Sequence, residues 1–436
     1  MRSRWALAFC SAIAASLLTC EHASNDREGL LRVGTSGDYT PFSFAPAGGG
    51  LDGFDVALAR AYAADRGLRL ELVPFRWPDL LDDLAAGRFD AALSGITVRP
   101  ERSVVGRFSV PLAESGALVL VPEAAALADL ASLDRETVRI VVNEGGHLER
   151  VARGRFRRAQ IRAIADNPGV LEALVEGRAD AAVTDTLEAP RWMAGRALRA
   201  LGPFTLDRKA ALVRADRPEL AADLDAWLLD REASGRLELL RREYLGVVSS
   251  RTAAPVSALF ASIDERLSLM PFVADAKRAQ GLPVVNSEVE ERVIRSAVAG
   301  VRRAEVGTNA APLAEEAVER LFRSLIDAAV AVQHATLATP ADPGRQPLDL
   351  QEQIRPALLR IGERIAALLV RLPARLDADR VRQSAARELR NLRLQPDVRD
   401  GHSRAIADAV LGLRAAEGAD QESSQHGEHD AGRIAQ

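Results

Sequence analysis

The sequence predicts an α/β unit followed by an all-α unit. Residues from about 30 to 248 alternate short strand-like apolar runs with amphipathic helix-like runs, which is typical of sheets joined by crossover helices. From Val256 onward the strand-like runs stop, and apolar residues recur at the spacing of an α-helix. The chain has 436 residues, a length that favours more than one domain.

Individual elements follow from these local patterns. The predicted strands are residues 31–35, 68–73, 91–94, 139–143, 161–165 and 181–184, and the α/β unit also contains predicted helices at 54–64 and 77–86. The all-α unit has predicted helices at 256–280, 287–303, 313–337 and 350–372, and two more within 374–394 and 402–416. Small and polar residues at 249–255 predict a linker, and the polar segment from 417 to 436 predicts a disordered tail.

The composition excludes several classes of function. A net charge of -4 and a pI near 6.0 provide no electrostatic attraction for nucleic acid. The chain has only two cysteines and six scattered histidines, so we expect no metal site.

The first 23 residues have the pattern of an export signal. Arg2 and Arg4 precede a short apolar run at residues 6–18, which is too short to span a membrane comfortably. The segment that ends at Cys20 resembles a lipoprotein box, so one alternative is a lipid anchor on Cys20. The other is ordinary cleavage just beyond it.

Two cations interrupt an apolar stripe in the first helix of the all-α unit. The stripe runs Leu259, Ile263, Arg266, Met270, Val273 and Lys277, with spacings of three and four residues. A charge that faces a protein core is costly unless a partner neutralises it. Lys277 is one of only two lysines in the chain, the other being Lys209, which indicates a specific need for an ammonium group.

Two more polar side chains lie at core-facing positions of other predicted helices. Gln333 continues the stripe of Phe322, Ile326 and Ala329, and Arg364 lies between Ile361 and Leu368. A small dianion bound inside the bundle would satisfy these donors together. The alternatives are a surface position or an ion pair within the bundle.

The all-α unit also resembles a known family. The segments IDERL (263–267), VADAK (273–277) and GLPV (281–284) resemble the first helix and turn of exported AroQ-type chorismate mutases, over residues 255–395. The resemblance implies a cofactor-free conversion of chorismate to prephenate. It implies that Arg266 and Arg364 hold the two carboxylates, that Lys277 and Gln333 donate to the ether oxygen, and that Glu290 contacts a substrate hydroxyl. Val289 and Ala329 depart from the polar residues common in the family.

The α/β unit resembles bacterial periplasmic solute-binding proteins. The matching segments are 31–33, 41–43, 53–56 and GRFDAALSGI (87–96), which Arg102 follows. The resemblance implies two lobes that close on a ligand, with two crossovers at the hinge. It also implies that Arg102 grips a carboxylate in a bidentate manner; the alternative for Arg102 is a surface ion pair.

A narrower resemblance is to cyclohexadienyl dehydratases, which are periplasmic enzymes built on the binding-protein fold. It rests on WP (77–78), NEGG (143–146) and TDTLE (184–188). These enzymes convert prephenate to phenylpyruvate, or arogenate to phenylalanine, so the resemblance implies a general acid for the leaving hydroxyl. Glu188 is the candidate acid, and its alternative is a solvated glutamate at a helix start. The residues expected to bind or enclose the substrate are Asp38, Trp77, Ser94, Thr97, Asn143 and Asp185. Lys209 also falls within the pattern of this family, and a position on the surface is an equal alternative for it.

The leading hypothesis joins the two activities in one exported chain that leads from chorismate to phenylpyruvate. The first rival is a periplasmic amino-acid-binding protein or sensor fused to a mutase, and Glu188 argues against it because a simple binder needs no acid there. The second is a pair of degenerate domains that serve as a scaffold. The sequence leaves open channelling of prephenate, homo-oligomer formation, and the preference between prephenate and arogenate.

Overall fold

The computed structural model describes residues 29–246, 252–341 and 345–413. The predicted export signal with Cys20, the first part of the predicted linker and the predicted disordered tail lie outside these ranges. Within them, the predicted fold class is confirmed: a two-lobed α/β unit precedes a bundle of helices.

The α/β unit contains fourteen strands among the described residues. They are β1 (Leu30–Thr35), β2 (Asp38–Tyr39), β3 (Ser43–Phe44), β4 (Arg69–Pro74), β5 (Ala91–Ala92), β6 (Gly106–Phe108), β7 (Ala113–Ser115), β8 (Ala117–Pro122), β9 (Arg139–Asn143), β10 (Gln160–Ile164), β11 (Ala181–Asp185), β12 (Leu198–Leu201), β13 (Asp207–Lys209) and β14 (Leu212–Arg214).

Eight α-helices accompany these strands, and seven form the bundle. The first eight are α1 (Phe54–Asp65), α2 (Leu80–Ala85), α3 (Pro100–Ser103), α4 (His147–Arg155), α5 (Asn167–Val175), α6 (Ala189–Met193), α7 (Pro218–Ala233) and α8 (Arg236–Leu245). The bundle consists of α9 (Pro255–Ser268), α10 (Met270–Gln280), α11 (Ser287–Glu305), α12 (Glu315–Leu337), α13 (Arg355–Val370), α14 (Ala378–Glu388) and α15 (Pro396–Gly412).

Each lobe has its own five-stranded sheet. Lobe 1 has the strand order β4-β1-β5-β14-β6, and lobe 2 has the order β10-β9-β11-β8-β12. The three consecutive strands at one side of each sheet are parallel, whereas the last two pair antiparallel. The chain passes from lobe 1 to lobe 2 through β7 and returns through β13, and these two strands pair with each other. We call this pair the hinge ribbon.

The bundle departs from the sequence-based prediction at several helix boundaries, of which two are described here. The helix predicted at 256–280 is divided at Leu269 into α9 and α10. Pro271 accounts for the division, because proline has no N–H to donate and is tolerated only in the first turn of a helix. The last helix begins at Pro396, six residues before the predicted start.

The bundle packs against the back of the hinge ribbon through buried ions. Arg208 of β13 donates to Asp264 of α9 at 2.6 Å and to Glu388 of α14 at 2.9 Å. The side chains of all three residues are at most 8% exposed. Asp264 also accepts the backbone N–H of Asn391 at 2.6 Å. Glu114, which lies opposite Arg208 in the ribbon, pairs with Arg390 of the bundle.

We predict that Asp264→Ala lowers the free energy of unfolding by about 3–5 kcal/mol, because it leaves Arg208 buried with one of its two carboxylate partners missing. Denaturant unfolding of the full chain measures the change. Asp408→Ala is the matched control, since its pair with Arg382 has side chains 50% and 57% exposed; the control should change stability by no more than about 1 kcal/mol. Equal effects of the two variants would contradict the role assigned to the buried cluster.

Candidate active sites

The first candidate site is the cleft between the two lobes. The hydroxyl of Tyr39 in lobe 1 donates a hydrogen bond to Asp185 in lobe 2, so the lobes meet across the cleft. Gly145 of lobe 2 lies directly against Pro78 of lobe 1: a Cβ on Gly145 would be 2.8 Å from the Pro78 backbone, and the φ of Gly145 is +70°. Both constraints require glycine here. The cleft between them encloses a cavity of about 30 Å³.

Two buried cations lie in the cavity wall. Arg102 is 1% exposed, donates to the carbonyl of Thr97 at 3.0 Å, and lies with its guanidinium carbon 5.9 Å from the ring centroid of Trp77. Burial lowers the pKa of Arg102 below its ordinary value, and the neighbouring charge of Arg99 adds to this. The Nε of Arg102 has no hydrogen-bond partner among the described residues. Arg102 is therefore a buried cleft residue, and the surface alternative for it is wrong.

Lys209, the second cation, is also buried, so the surface alternative is wrong for it as well. Its Nζ donates to Tyr39 at 2.9 Å and to Thr97 at 3.1 Å, and it lies 3.2 Å from a carboxylate oxygen of Asp185. The sequence contained a signal for this site, because Lys209 is one of only two lysines. The rarity of lysine in this chain therefore indicates a specific role for Lys209 as much as for Lys277.

Glu188 is a buried carboxyl group at the edge of the same network. It is 1% exposed and accepts a hydrogen bond from the hydroxyl of Thr184 at 2.7 Å. Burial raises the pKa of Glu188 well above its ordinary value, and the charges of Asp185 and Asp38 raise it further. A raised pKa suits a general acid, because the carboxyl group then keeps its proton to a higher pH than an ordinary glutamate does. A solvated position for Glu188 is wrong.

The other residues predicted for the cleft surround it in different roles. Trp77 donates from its indole nitrogen to Asp38 at 3.2 Å. Ser94 accepts the backbone N–H of Ser36 at 3.1 Å, so it holds a loop of lobe 1. Asn143 lies in the cavity wall, and its side-chain nitrogen is buried without a partner among the described residues.

Sequence reasoning missed a second polar pair in the cleft. His147, which begins α4, lies 2.9 Å through Nε2 from Asp207 of the hinge ribbon. Thr205 donates to the other oxygen of Asp207 at 2.7 Å. Burial lowers the pKa of His147 despite this partner, and Lys209 and Arg99 lower it further. A single histidine after two glycines is a weak indication of a functional site. The sequence therefore did not distinguish His147 from a surface residue.

The second candidate site lies in the bundle beside the stripe of α9 and α10. Arg266 donates to the carbonyl of Leu358 in α13 at 3.2 Å, and burial lowers its pKa to about 10. Lys277 donates to the carbonyl of Val284 at 2.7 Å. Burial lowers the pKa of Lys277, while the negative charge of Glu290 in α11 opposes that effect. Glu290 is thus near enough to Lys277 to influence its charge.

Gln333 reaches the same stripe from α12. Its amide nitrogen lies 3.9 Å from the sulfur of Met270, which is in the stripe between Arg266 and Lys277. That nitrogen also donates to the carbonyl of Ala329 at 3.2 Å, and its amide oxygen is buried without a partner among the described residues. The structure therefore brings Arg266, Lys277 and Gln333, which are three of the predicted donors, to one side of the bundle.

Arg364 is placed differently from the prediction. Its guanidinium pairs with Glu265 of α9 and also donates to Ser262 and to the carbonyl of Phe108 in lobe 1. The alternative of an ion pair within the bundle is the arrangement found here. The reason is that α9 packs on lobe 1, so Glu265 is buried on a face that helical periodicity marks as exposed. Binding of a substrate carboxylate by Arg364 stays a prediction.

Arg355 is a cation near the bundle site that the sequence analysis overlooked. It begins α13, and its positive charge lowers the pKa of Lys277. It lies nine residues from Arg364, half a turn out of phase on the same helix, so the two arginines occupy opposite faces.

Two absences within the described ranges bear on metals and membranes. No group of three or more histidine, cysteine, aspartate or glutamate side chains there could hold a metal ion. No helix in the same ranges combines the length and apolar character that a membrane span requires.

Comparisons with known proteins identify the families of both domains. Residues 31–247 match the model for bacterial extracellular solute-binding proteins, family 3, and residues 257–334 match that for chorismate mutase type II. A cyclohexadienyl dehydratase of Pseudomonas aeruginosa is 36% identical over 251 residues, which cover 55% of this chain and 92% of that protein. An L-cystine-binding protein of Escherichia coli is 27% identical, with coverage of 50% and 83%.

Among solved structures, an ancestral amino acid-binding protein described as a precursor of cyclohexadienyl dehydratase is 32% identical, with a TM-score of 0.49, and the match covers 51% of this chain and 98% of that one. The sequence matches confirm the two resemblances that the motifs indicated. The chain belongs to the bacterial extracellular solute-binding proteins of family 3, and its second half carries a type II chorismate mutase domain. Membership of an extracellular family supports the predicted export.

We predict that Glu188→Gln reduces the formation of phenylpyruvate from prephenate by about 100-fold or more, because glutamine keeps the shape but has no proton to give. Prephenate should still bind, and the mutase reaction should be unchanged. In the unmutated protein, kcat should fall as the pH rises through the raised pKa of Glu188. Steady-state kinetics with prephenate measure both effects; normal turnover by the variant would assign the acid to another residue.

We predict that Lys277→Ala slows the loss of chorismate by about 100- to 1,000-fold, which is the usual effect of removing one preorganised donor. Turnover of supplied prephenate serves as the internal control, because Lys277 belongs to the bundle and not to the cleft. A variant with near-normal mutase activity would exclude Lys277 from the reaction.

Proposed function

We propose that this chain converts chorismate to prephenate in the bundle and prephenate to phenylpyruvate in the cleft. The observation that carries the proposal is the buried Glu188, whose pKa is raised by burial and which lies near enough to Lys209 to be influenced by its charge. A protein that only binds a ligand needs no desolvated acid, whereas the loss of a ring hydroxyl requires one. The type II chorismate mutase match in the same chain accounts for the supply of prephenate.

In the bundle, we infer that the donors stabilise the charge that grows on the ether oxygen as the carbon–oxygen bond breaks and the new carbon–carbon bond forms. Lys277 is suited to this because it is half-buried and its ammonium group is fixed by Val284. Gln333 is suited as a second donor beside Met270. Arg266 is the candidate for a carboxylate, and Glu290 for a hydroxyl. The rate enhancement comes from preorganised charge and restricted substrate conformation, without a covalent bond between enzyme and substrate.

In the cleft, Arg102 is the candidate for holding the carboxylate of the side chain. Glu188 gives its proton to the ring hydroxyl, which leaves as water. The ring carboxylate leaves as carbon dioxide, and the electron pair of its carbon–carbon bond completes the aromatic ring. The overall change consumes one proton and one prephenate dianion, and it yields water, carbon dioxide and the phenylpyruvate anion. Closure of the two lobes excludes water from the reacting groups.

The finer features of location and assembly belong to the same proposal. We propose that the exported chain resides in the periplasm. A lipid anchor on Cys20 and a homo-oligomer remain alternatives to a free monomer, and intact mass measurement and light scattering of the protein exported by its host decide between them.

We predict that purified protein given chorismate alone produces phenylpyruvate. The time course should show little transient prephenate, because Val289 and Ala329 replace polar groups of the mutase family and each missing hydrogen bond to a charged group is worth about 1.5–3 kcal/mol. Separate measurement of chorismate, prephenate and phenylpyruvate tests the order of rates. A large transient of prephenate would make the mutase the faster half.

The same reasoning predicts that Val289→Arg accelerates chorismate loss. Val289 is half-buried in the first turn of α11, next to Glu290, so an added guanidinium would lie close to the proposed site. Glu291→Arg is a suitable control, because Glu291 is exposed on the same helix. Equal acceleration by the two variants would attribute the gain to general electrostatic attraction of the substrate.

A further inference from the structure

We propose that His147 accepts a hydrogen bond from the ring hydroxyl of the substrate through its Nδ1. The inference rests on the proposed dehydratase function and deepens it, because this hydroxyl is the group that the reaction expels. Prephenate and arogenate both carry the hydroxyl, so the argument is the same for either substrate. Asp207 is the positioning residue that fixes the ring of His147.

The pairing of His147 with Asp207 decides which ring nitrogen carries a hydrogen. Nε2 of His147 lies 2.9 Å from one oxygen of Asp207, and the hydroxyl of Thr205 donates to the other oxygen at 2.7 Å. Burial opposes the ionisation of Asp207, but the hydrogen bond from His147 and the charge of Lys209 help to hold the pKa of Asp207 below its ordinary value. A carboxylate only accepts hydrogen bonds, so Nε2 carries the hydrogen in this pair.

The second ring nitrogen of His147 is then an acceptor at neutral pH. Burial lowers the pKa of His147 below its ordinary value of 6.5, although Asp207 acts in the opposite direction. A neutral imidazole with its hydrogen on Nε2 has a lone pair on Nδ1. This Nδ1 is buried and has no partner among the described residues. An unsatisfied buried acceptor is costly, so a ligand that donates to it is favoured.

The unpaired groups of the cavity wall correspond to the groups that the substrate carries. His147, Arg102 and Asn143 line the same cavity. The Nε of Arg102 and the side-chain nitrogen of Asn143 are also buried without partners in the described ranges, and both are donors. Donors suit the carboxylates of the substrate but not the hydrogen of its hydroxyl. Nδ1 of His147 supplies these wall residues with an unpaired acceptor for that hydrogen.

The hinge ribbon places His147 and the candidate acid Glu188 around the same cation. Asp207, which holds His147, and Lys209 are two residues apart in β13, so their side chains lie on the same face. Lys209 lies 3.2 Å from Asp185, which also accepts the backbone N–H of Glu188 at 3.1 Å. Lys209 is near enough to both His147 and Glu188 to influence their charges. A hydroxyl bound beside Lys209 would therefore have an acceptor and an acid in its surroundings.

The proposed hydrogen bond prepares the hydroxyl to leave. With its hydrogen directed to His147, the oxygen presents a lone pair to the proton of Glu188. The carbon–oxygen bond breaks with its electron pair on the oxygen, which leaves as water with its own hydrogen and the proton from Glu188. The electron pair of the bond to the departing carboxylate completes the aromatic ring. His147 neither gains nor loses a proton in this step.

The first test uses the different reach of two amide side chains. Asparagine places its amide group near the position of Nδ1, whereas glutamine places its amide group near that of Nε2. His147→Asn therefore keeps an acceptor for the hydroxyl and loses the contact with Asp207, and His147→Gln does the reverse. We expect His147→Gln to reduce kcat/KM for prephenate by about 10- to 100-fold, the usual effect of leaving a buried donor unsatisfied, and His147→Asn to retain at least about fivefold more activity than His147→Gln.

Phenylpyruvate, which lacks the ring hydroxyl, is the control ligand. Its inhibition constant against prephenate turnover should stay within about threefold of the unmutated value in both variants, because it has no hydroxyl to donate to His147. Parallel weakening of phenylpyruvate would show that His147 only supports the shape of the cleft, and so would a greater loss of activity in His147→Asn than in His147→Gln. Either result would overturn the proposal.

The second test changes the tautomer without removing His147. Asp207→Asn keeps the shape of the carboxylate, but its amide can donate to Nε2 and so place the ring hydrogen on Nδ1. We expect this variant to reduce kcat/KM for prephenate by at least about tenfold, because a wrong histidine tautomer is strongly unfavourable in other enzymes. The loss should be largely absent when His147→Gln is already present. Nitrogen-15 NMR of the unmutated full chain should find the hydrogen on Nε2, and a hydrogen on Nδ1 would contradict the proposal.

Failure of this proposal and failure of the dehydratase function give different results. If the unmutated chain leaves prephenate unchanged, the dehydratase function is wrong, and the role of His147 is then measured as binding of prephenate. Calorimetry with the Lys277→Ala chain suits this purpose, because its bundle site is weakened whereas the cleft is intact. Weaker binding of prephenate after His147→Gln in that chain would support the hydrogen bond, and equal binding would overturn it.

Discussion

The central interaction of this molecule is the buried ion cluster on the back of the hinge ribbon. Side chains alternate along a β-strand, so in β13 Arg208 points away from the cleft while Lys209 points into it. Arg208 holds Asp264 and Glu388 of the bundle, and neither a lone Arg208 nor a lone acid would be tolerated at this depth. The mutase domain is thereby attached to the strand that carries a cation of the dehydratase cleft.

A second segment repeats this arrangement. In α3, Arg102 lies in the cleft, whereas its neighbour Ser103 donates to Glu265 of the bundle at 2.8 Å. The carbonyls of Ser103 and Val104 also accept a guanidinium nitrogen of Arg360, each at 3.0 Å. The cleft cations are thus carried by segments whose opposite sides are fixed to the helical domain. The packing of the bundle therefore bears directly on the segments that carry the cleft cations.

The two sites use burial for opposite electrostatic purposes. In the cleft, burial raises the pKa of Glu188, so that the carboxyl group keeps its proton to a higher pH than an ordinary glutamate does. In the bundle, burial lowers the pKa of Lys277, but the group is only half-buried and Glu290 opposes the shift. The difference follows from the reaction at each site. The dehydratase needs a proton donor, whereas the mutase needs a fixed positive charge.

The sequence by itself determined the fold class and the stripe that carries Arg266 and Lys277, and it predicted Glu188 as the candidate acid, because strand alternation, helical spacing and short motifs are local properties. Only the tertiary structure decided the positions of Lys209 and Arg364. Which face of a helix is buried depends on what packs against it, and α9 is covered on two sides, by the bundle and by lobe 1. Glu265 is therefore buried despite lying outside the apolar stripe, and it pairs with Arg364. Such a pairing joins residues 99 positions apart, and no local pattern records it.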